Sequence, residues 1–213
     1  MSRWFRVAAL ASVGFVLVVL GAALRPLVLP EQHTTAPVLN AVEIGFAQDM
    51  TAHHQQALIM VQRLDRDVDP TVLRLAQQLS DAQSIEIGTM LGWLRLADAS
   101  PLSSHPMAWM HADAAVSQHH PGAVQSNGDA MPGMATTAEL DALSAARGHD
   151  AEILFLQLMF RHHQGGLVMA RAADELLTSG PVKETARSMF QSQSQEAGVI
   201  SVLLTQLGGQ ATQ

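Results

Sequence analysis

Apolar positions along this chain follow two different patterns. Val7 to Leu24 is an 18-residue run without a charge, closed by Arg25-Pro26. From residue 39 onward apolar residues return every three or four positions, the spacing of one face of an α-helix. Four stripes result: Phe46, Met50, His53, Ala57, Met60, Leu64; Val72, Ala76, Leu79, Gln83, Glu86, Met90, Trp93; Phe155, Met159, His162, Gly166, Met169, Ala173, Leu176; and Val182, Ala186, Met189, Gln193, Glu196, Ile200, Leu203. Asp69-Pro70, Gly180-Pro181 and Gly208-Gly209 punctuate them, and Thr136 with Glu139 forms a capping-box pattern. The pattern predicts helices at 39–66, 70–97, 149–178 and 181–207, with a short one at 137–147. Alternating spacings of three and four make the seam of a left-handed bundle, so the chain is expected to be all-α, an antiparallel four-helix bundle. Each stripe is apolar at both ends and polar in the middle, which predicts a polar layer at mid-height. His54 and His163 fall about 100° from the stripe, at its edge.

The stripes repeat. Residues 43–60 (EIGFAQDMTAHHQQALIM) match residues 152–169 (EILFLQLMFRHHQGGLVM) at a constant offset, pairing Glu43 with Glu152, Met50 with Met159, and His53-His54 with His162-His163. Each copy is followed by a helix with Gln-x-x-Glu, Gln83 to Glu86 and Gln193 to Glu196. The bundle is therefore read as two duplicated helical hairpins over 39–207, joined by a loop at 99–135.

The apolar run follows a short basic start, the pattern of a signal-anchor or signal peptide at 1–25. Its length favours an uncleaved membrane helix over a cleaved signal, and residues 26–38 read as a tether. Two Arg before the run and one after it keep the N-terminus in the cytoplasm and place the bundle outside, in the cell envelope. Cleavage would make the protein secreted. Charge refines the picture. The first 30 residues hold Arg3, Arg6 and Arg25 and no acid, which leaves the remainder at nine basic against 19 acidic residues, a net of −10. Such a body repels nucleic acid. Aromatic residues are 4% with no Tyr, which disfavours all-β folds, and the absence of Cys removes disulfides and thiolate metal sites.

Ten His and eleven Met are the unusual components, and they cluster. A bundle core does not bury His, Gln and Glu without partners. In one reading each core Glu accepts a hydrogen bond from a His, and the layer fixes register. In the other, Met50, His53, His54, Glu86, Met159, His162, His163 and Glu196 converge on a metal ion. Carboxylate-bridged di-iron chemistry is disfavoured, because Glu-x-x-His is absent. The connecting loop adds His105, Met107, Met110, His111, His119, His120, Met131 and Met134 in a Gly/Pro-rich setting. Thioether with imidazole suits Cu(I), and Met107-x-x-Met110-His111 can present three ligands on one helical turn. The bland alternative is a loop whose Met and Trp109 dock on the bundle. No nucleophile triad, phosphate loop or nucleotide fingerprint is present.

The doubled Phe-x-x-x-Met-x-x-His-His, with Met131-Pro132-Gly133-Met134 before the second copy, resembles the domain-of-unknown-function 305 family over about residues 40–207. The resemblance implies a ferritin-like four-helix bundle in a bacterial protein, often secreted or membrane-anchored. Some members are periplasmic copper-binding proteins, which implies ligation here by Met50, His53, His54, Met131, Met134, Met159, His162 and His163. The family often has Asp where this chain has Glu43 and Glu152, and the His-rich stretch 105–120 does not map onto the resemblance. The expectation is an envelope protein that binds, sequesters or hands on copper. A metal-dependent oxidoreductase and a metal-free structural or interaction bundle are the rivals.

Overall fold

The computed structural model describes residues 4, 12–21, 37–111 and 131–210, divided between two compact units, Met1–Pro37 and Val38–Gln213. In the first unit residues 4 and 12–21 are helical, and the side chains of Val13 and Phe15 to Leu20 are exposed. Among the described residues no helix is long and apolar enough to cross a membrane. The ends of the 7–24 run, most of the tether, and His119 and His120 lie outside the described residues.

Among the described residues of the second unit every regular element is a helix: α1 Ala41–Arg63, α2 Pro70–Leu96, a 3₁₀ turn Ala108–His111, α3 Thr137–Ala145, α4 Gly148–Leu176 and α5 Pro181–Gln206. These limits lie within three residues of the expected ones. Local chemistry explains why. Asn40 and Glu43 close a reciprocal capping box on α1, at 3.0 and 2.7 Å, and Thr136 with Glu139 does the same for α3. Asp69 accepts from the Thr71 N–H and is followed by Pro70 at the first helical position. Gly180, at φ 105°, makes the turn into Pro181 that a Cβ would strain.

α1 packs on α2 and α4 on α5, each pair joined by a short connection, and α1 packs on α4. Two apolar clusters fill the interior. One gathers Met60, Val61 and Leu64 from the end of α1 with Val72, Leu75 and Leu79 of α2, Leu143 of α3, and Ala151, Phe155 and Met159 from the start of α4. The other gathers Phe46, Ala47 and Met50 from the start of α1 with Met90, Leu94, Met169, Ala173, Val182 and Met189. The start of α1 thus meets the end of α4, so the two inner helices run in opposite directions. Between the clusters lies a polar layer of His53, His54, Gln83, His162, His163 and Gln193, none more than 2% exposed.

The outer helices depart from the expected register. Leu94 is buried and Trp93 only half-buried; Ala197 and Leu204 are buried where Glu196 and Leu203 were expected. Glu86 and Glu196 therefore stand beside the seam, with side chains 23% and 24% exposed. Rotating the carboxylates toward solvent avoids the cost of fully desolvating a charge.

Candidate functional site

The paired histidines are buried because two helices cross at the repeat. His53 and His162 occupy equivalent positions on α1 and α4, and their rings stack with centroids 3.8 Å apart and planes at 30°. Stacking at that distance disfavours a charge on both rings at once. Burial, then the neighbouring His54, pushes His53 down to about 3, and burial, then His53, pushes His162 well below the ordinary histidine range.

The glutamates pair not with the seam histidines His53 and His162 but with the second histidine of each pair. His54 Nε2 lies 2.5 Å from Glu86, and His163 Nε2 lies 3.0 Å from Glu196. His54 and His163 are fully buried rather than at the edge of the stripe. The reason is helical geometry: rings 100° from the seam point toward the outer helix packed on that side. His53 Nε2 instead donates to the Pro132 carbonyl at 3.1 Å, and His162 Nε2 donates to the His53 carbonyl at 2.8 Å.

This pattern fixes where the ring lone pairs are. A neutral imidazole has one N–H and one lone pair, and carbonyls and carboxylates only accept. With Nε2–H given away, Nδ1 carries the lone pair. Nδ1 of His53, His54 and His162 is buried and meets no partner, as do Gln83 Oε1 and Gln193 Nε2 in the same layer. Buried polar atoms without partners are uncommon and mark a bound water, an ion or a functional strain. A histidine that donates one N–H to a carboxylate or backbone carbonyl while baring the other nitrogen is set up as a metal ligand is. Met50 and Met159, fully buried, lie one turn before the pairs on α1 and α4. Among the described residues, however, no three His, Asp or Glu side chains gather as a metal-holding group.

The loop divides. Met107, Trp109 and the half-buried Met110 and Met131 join the cluster that holds Met50. His111 is exposed while Met107 is 4% exposed, so Met107, Met110 and His111 do not present one shared ligand face. Asp49 is the cause. Its buried carboxylate accepts from the Met107 N–H at 2.6 Å and the Trp109 indole N–H at 2.9 Å. Burial raises the Asp49 pKa, and these donors pull it back. Met107 is held at φ 64°, a left-handed conformation unusual for a side chain other than Gly. Trp109 lies edge-on to Phe46, 5.6 Å between centroids, in space that exists because residue 45 is Gly.

A second segment, Met131 to Ala135, is strapped across α1 and α4. Gln56 clamps Ala135 with two hydrogen bonds, 2.8 Å to its carbonyl and 2.6 Å from its N–H. Gly165 lets the Pro132 carbonyl approach α4; a Cβ there would land on it. Met131 and Met134 are half-buried at either end of the Pro132-Gly133 turn. Gly166 makes equivalent room for the amide of Gln193. The sequence reading used Gly166 only as a core position and missed Asp49, Gln56 and Gly165. The unequal residues at equivalent positions of the two copies, Gln56 against Gly165 and Asp49 against Leu158, were the available signal.

Comparison with known proteins bears on this arrangement. Residues 43–204 match the family model described as domain of unknown function (DUF305). The crystal structure of a DUF305 protein from Streptomyces coelicolor is 36% identical, with a TM-score of 0.69 over 81% of this chain and 96% of that one. A DUF305 fragment from Deinococcus radiodurans is 30% identical, with a TM-score of 0.61 over 78% and 97% of the two chains. No curated protein is significantly similar.

Proposed function

Since the chain belongs to the DUF305 family, whose description assigns no activity, the function has to come from its site, and we propose that it binds a soft metal ion, copper above all, without catalysing a reaction. The observation that carries this is the set of three buried imidazoles, His53, His54 and His162, with Nε2–H committed to an oxygen and Nδ1 bare. The donor chemistry fits. Few nitrogens with thioethers nearby suit Cu(I), which accepts low coordination numbers and soft ligands, better than a hard or high-coordinate ion. Met50 and Met159 supply sulfur beside the pairs; Met107, Met110, Met131 and Met134 supply it at the covering segments. Glu86 acts behind His54 as an orienting carboxylate. The bound ion would be buffered or handed on.

The long helices are read as a ferritin-like antiparallel four-helix bundle of two duplicated hairpins. The 7–24 run is read as a membrane anchor or signal that places it in the envelope. The Streptomyces coelicolor relative is named as a secreted protein, which supports export here.

A Cu(I) competition titration tests the reading. The full-length protein should bind Cu(I), and His53→Ala with His54→Ala should weaken binding at least tenfold. A protein that takes up no Cu(I), Ag(I) or Cu(II) leaves the layer with a purely structural role.

A further inference from the structure

The two copies of the repeat are not chemically equivalent at the histidine layer. His54 and His163 occupy matching positions, and each offers Nε2 to a half-exposed glutamate. Their other nitrogens differ. His163 Nδ1 lies 2.9 Å from the Met159 carbonyl one turn back on its own helix. His54 Nδ1 has no partner and is buried. Both His163 nitrogens thus face oxygen acceptors, and neither lacks a partner. The first copy thus holds two Nδ1 atoms without a partner, on His53 and His54, and the second holds one, on His162.

The surroundings follow the same division. His53 is tied to the Met131–Ala135 strap through Pro132, and Gln56 fastens that strap to α1. His162 is tied to the backbone of the first copy. On α4, Gly165 and Gly166 give the strap and Gln193 close approach.

We infer that the duplication has divided the labour: His54, with His53 and Met50, is the ligating half of the site, and the His163–Glu196 pair is a lock that holds α4 and α5 in register without ligating. This rests on the metal-binding reading above. It predicts one tight site per chain rather than two related by the repeat.

Silver ion is the probe, being diamagnetic and close to Cu(I) in ligand preference. On the full-length protein, ¹⁵N imidazole spectra without metal should show a bare Nδ1 for His54 and a hydrogen-bonded Nδ1 for His163. Added Ag(I) should move His53 and His54 up to one equivalent and leave His163 in place. His54→Gln should lower Ag(I) affinity at least tenfold with little change in melting temperature. His163→Gln should lower the melting temperature and keep Ag(I) affinity within about twofold. A bare His163 Nδ1, or Ag(I) shifting both copies alike up to two equivalents, overturns the division while leaving metal binding intact. No Ag(I)-dependent shift at any histidine overturns both.

Discussion

Asp49 shows how much one buried residue decides. Its carboxylate is 1% exposed and holds two donors from a loop more than fifty residues away. Removing it leaves the Met107 N–H and the Trp109 indole N–H buried without an acceptor, which costs about 1–3 kcal/mol for each such group. Asp49→Ala should therefore lower stability in denaturant melts and shift tryptophan emission to the red as Trp109 is wetted. Asp49→Asn keeps an accepting oxygen and should lose much less. Equal losses in the two variants would mean that the hydrogen bonds are not what holds the loop.

At the scale of the element, the two adjacent glycines of α4 separate two kinds of close approach. A Cβ on Gly165 meets the backbone carbonyl of Pro132, which cannot turn away; a Cβ on Gly166 meets the amide end of Gln193, which can. Gly→Ala in a helix interior gains about 1 kcal/mol of propensity, whereas forcing packed backbone apart costs about 1–3 kcal/mol. Gly166→Ala is expected to fall near neutral in thermal melts. Gly165→Ala should destabilise, and should speed proteolytic cleavage near Met131–Ala135 as the strap lifts. Identical behaviour of the two variants would count against the strap. The helices themselves were legible from their stripes and caps. The register of α2 and α5 was not, because a seam of threes and fours admits Glu196 or Ala197 equally until the cost of burying a carboxylate selects the latter.

For the whole molecule the stacked histidines set the acid response. His53 falls to about 3 and His162 well below its ordinary 6.5. Between pH 6.5 and about 3 the unfolded chain takes up protons that the folded chain refuses, so their contribution is complete above pH 6.5 and declines as pH falls through that window. Each group adds a slope approaching 1.4 kcal/mol per pH unit. Asp49, with its pKa raised, has the opposite sign, its strain relieved on acidification. Asp65, Asp69, Glu139 and Asp174 have lowered values, and their contribution is lost only at lower pH, below the ordinary carboxylate range. Melting temperature should thus already fall between pH 6.5 and 5, above the ordinary carboxylate range. Replacing both His53 and His162 by Gln should flatten that dependence. A wild-type melting temperature constant from pH 7 to 5 would contradict buried neutral rings.

The helical class, the helix limits to within three residues, the duplication and a polar layer around His53 and His162 are legible in the sequence alone. Period, caps and repeat are local or self-comparing properties, readable without knowing which helix touches which. It could not decide which histidine meets which glutamate, since His53 and His54 differ only by a rotation of 100° and both face something once four helices surround them. Nor could it show Met107 turned into the core, because that depends on Asp49 being buried opposite the loop. The bare Nδ1 atoms of His53, His54 and His162, and the occupied one of His163, exist only through Pro132, the His53 carbonyl and the Met159 carbonyl. Hydrogen-bond partners brought together across 79 and 109 residues are a property of the packed molecule, and the difference between the two copies was decided there.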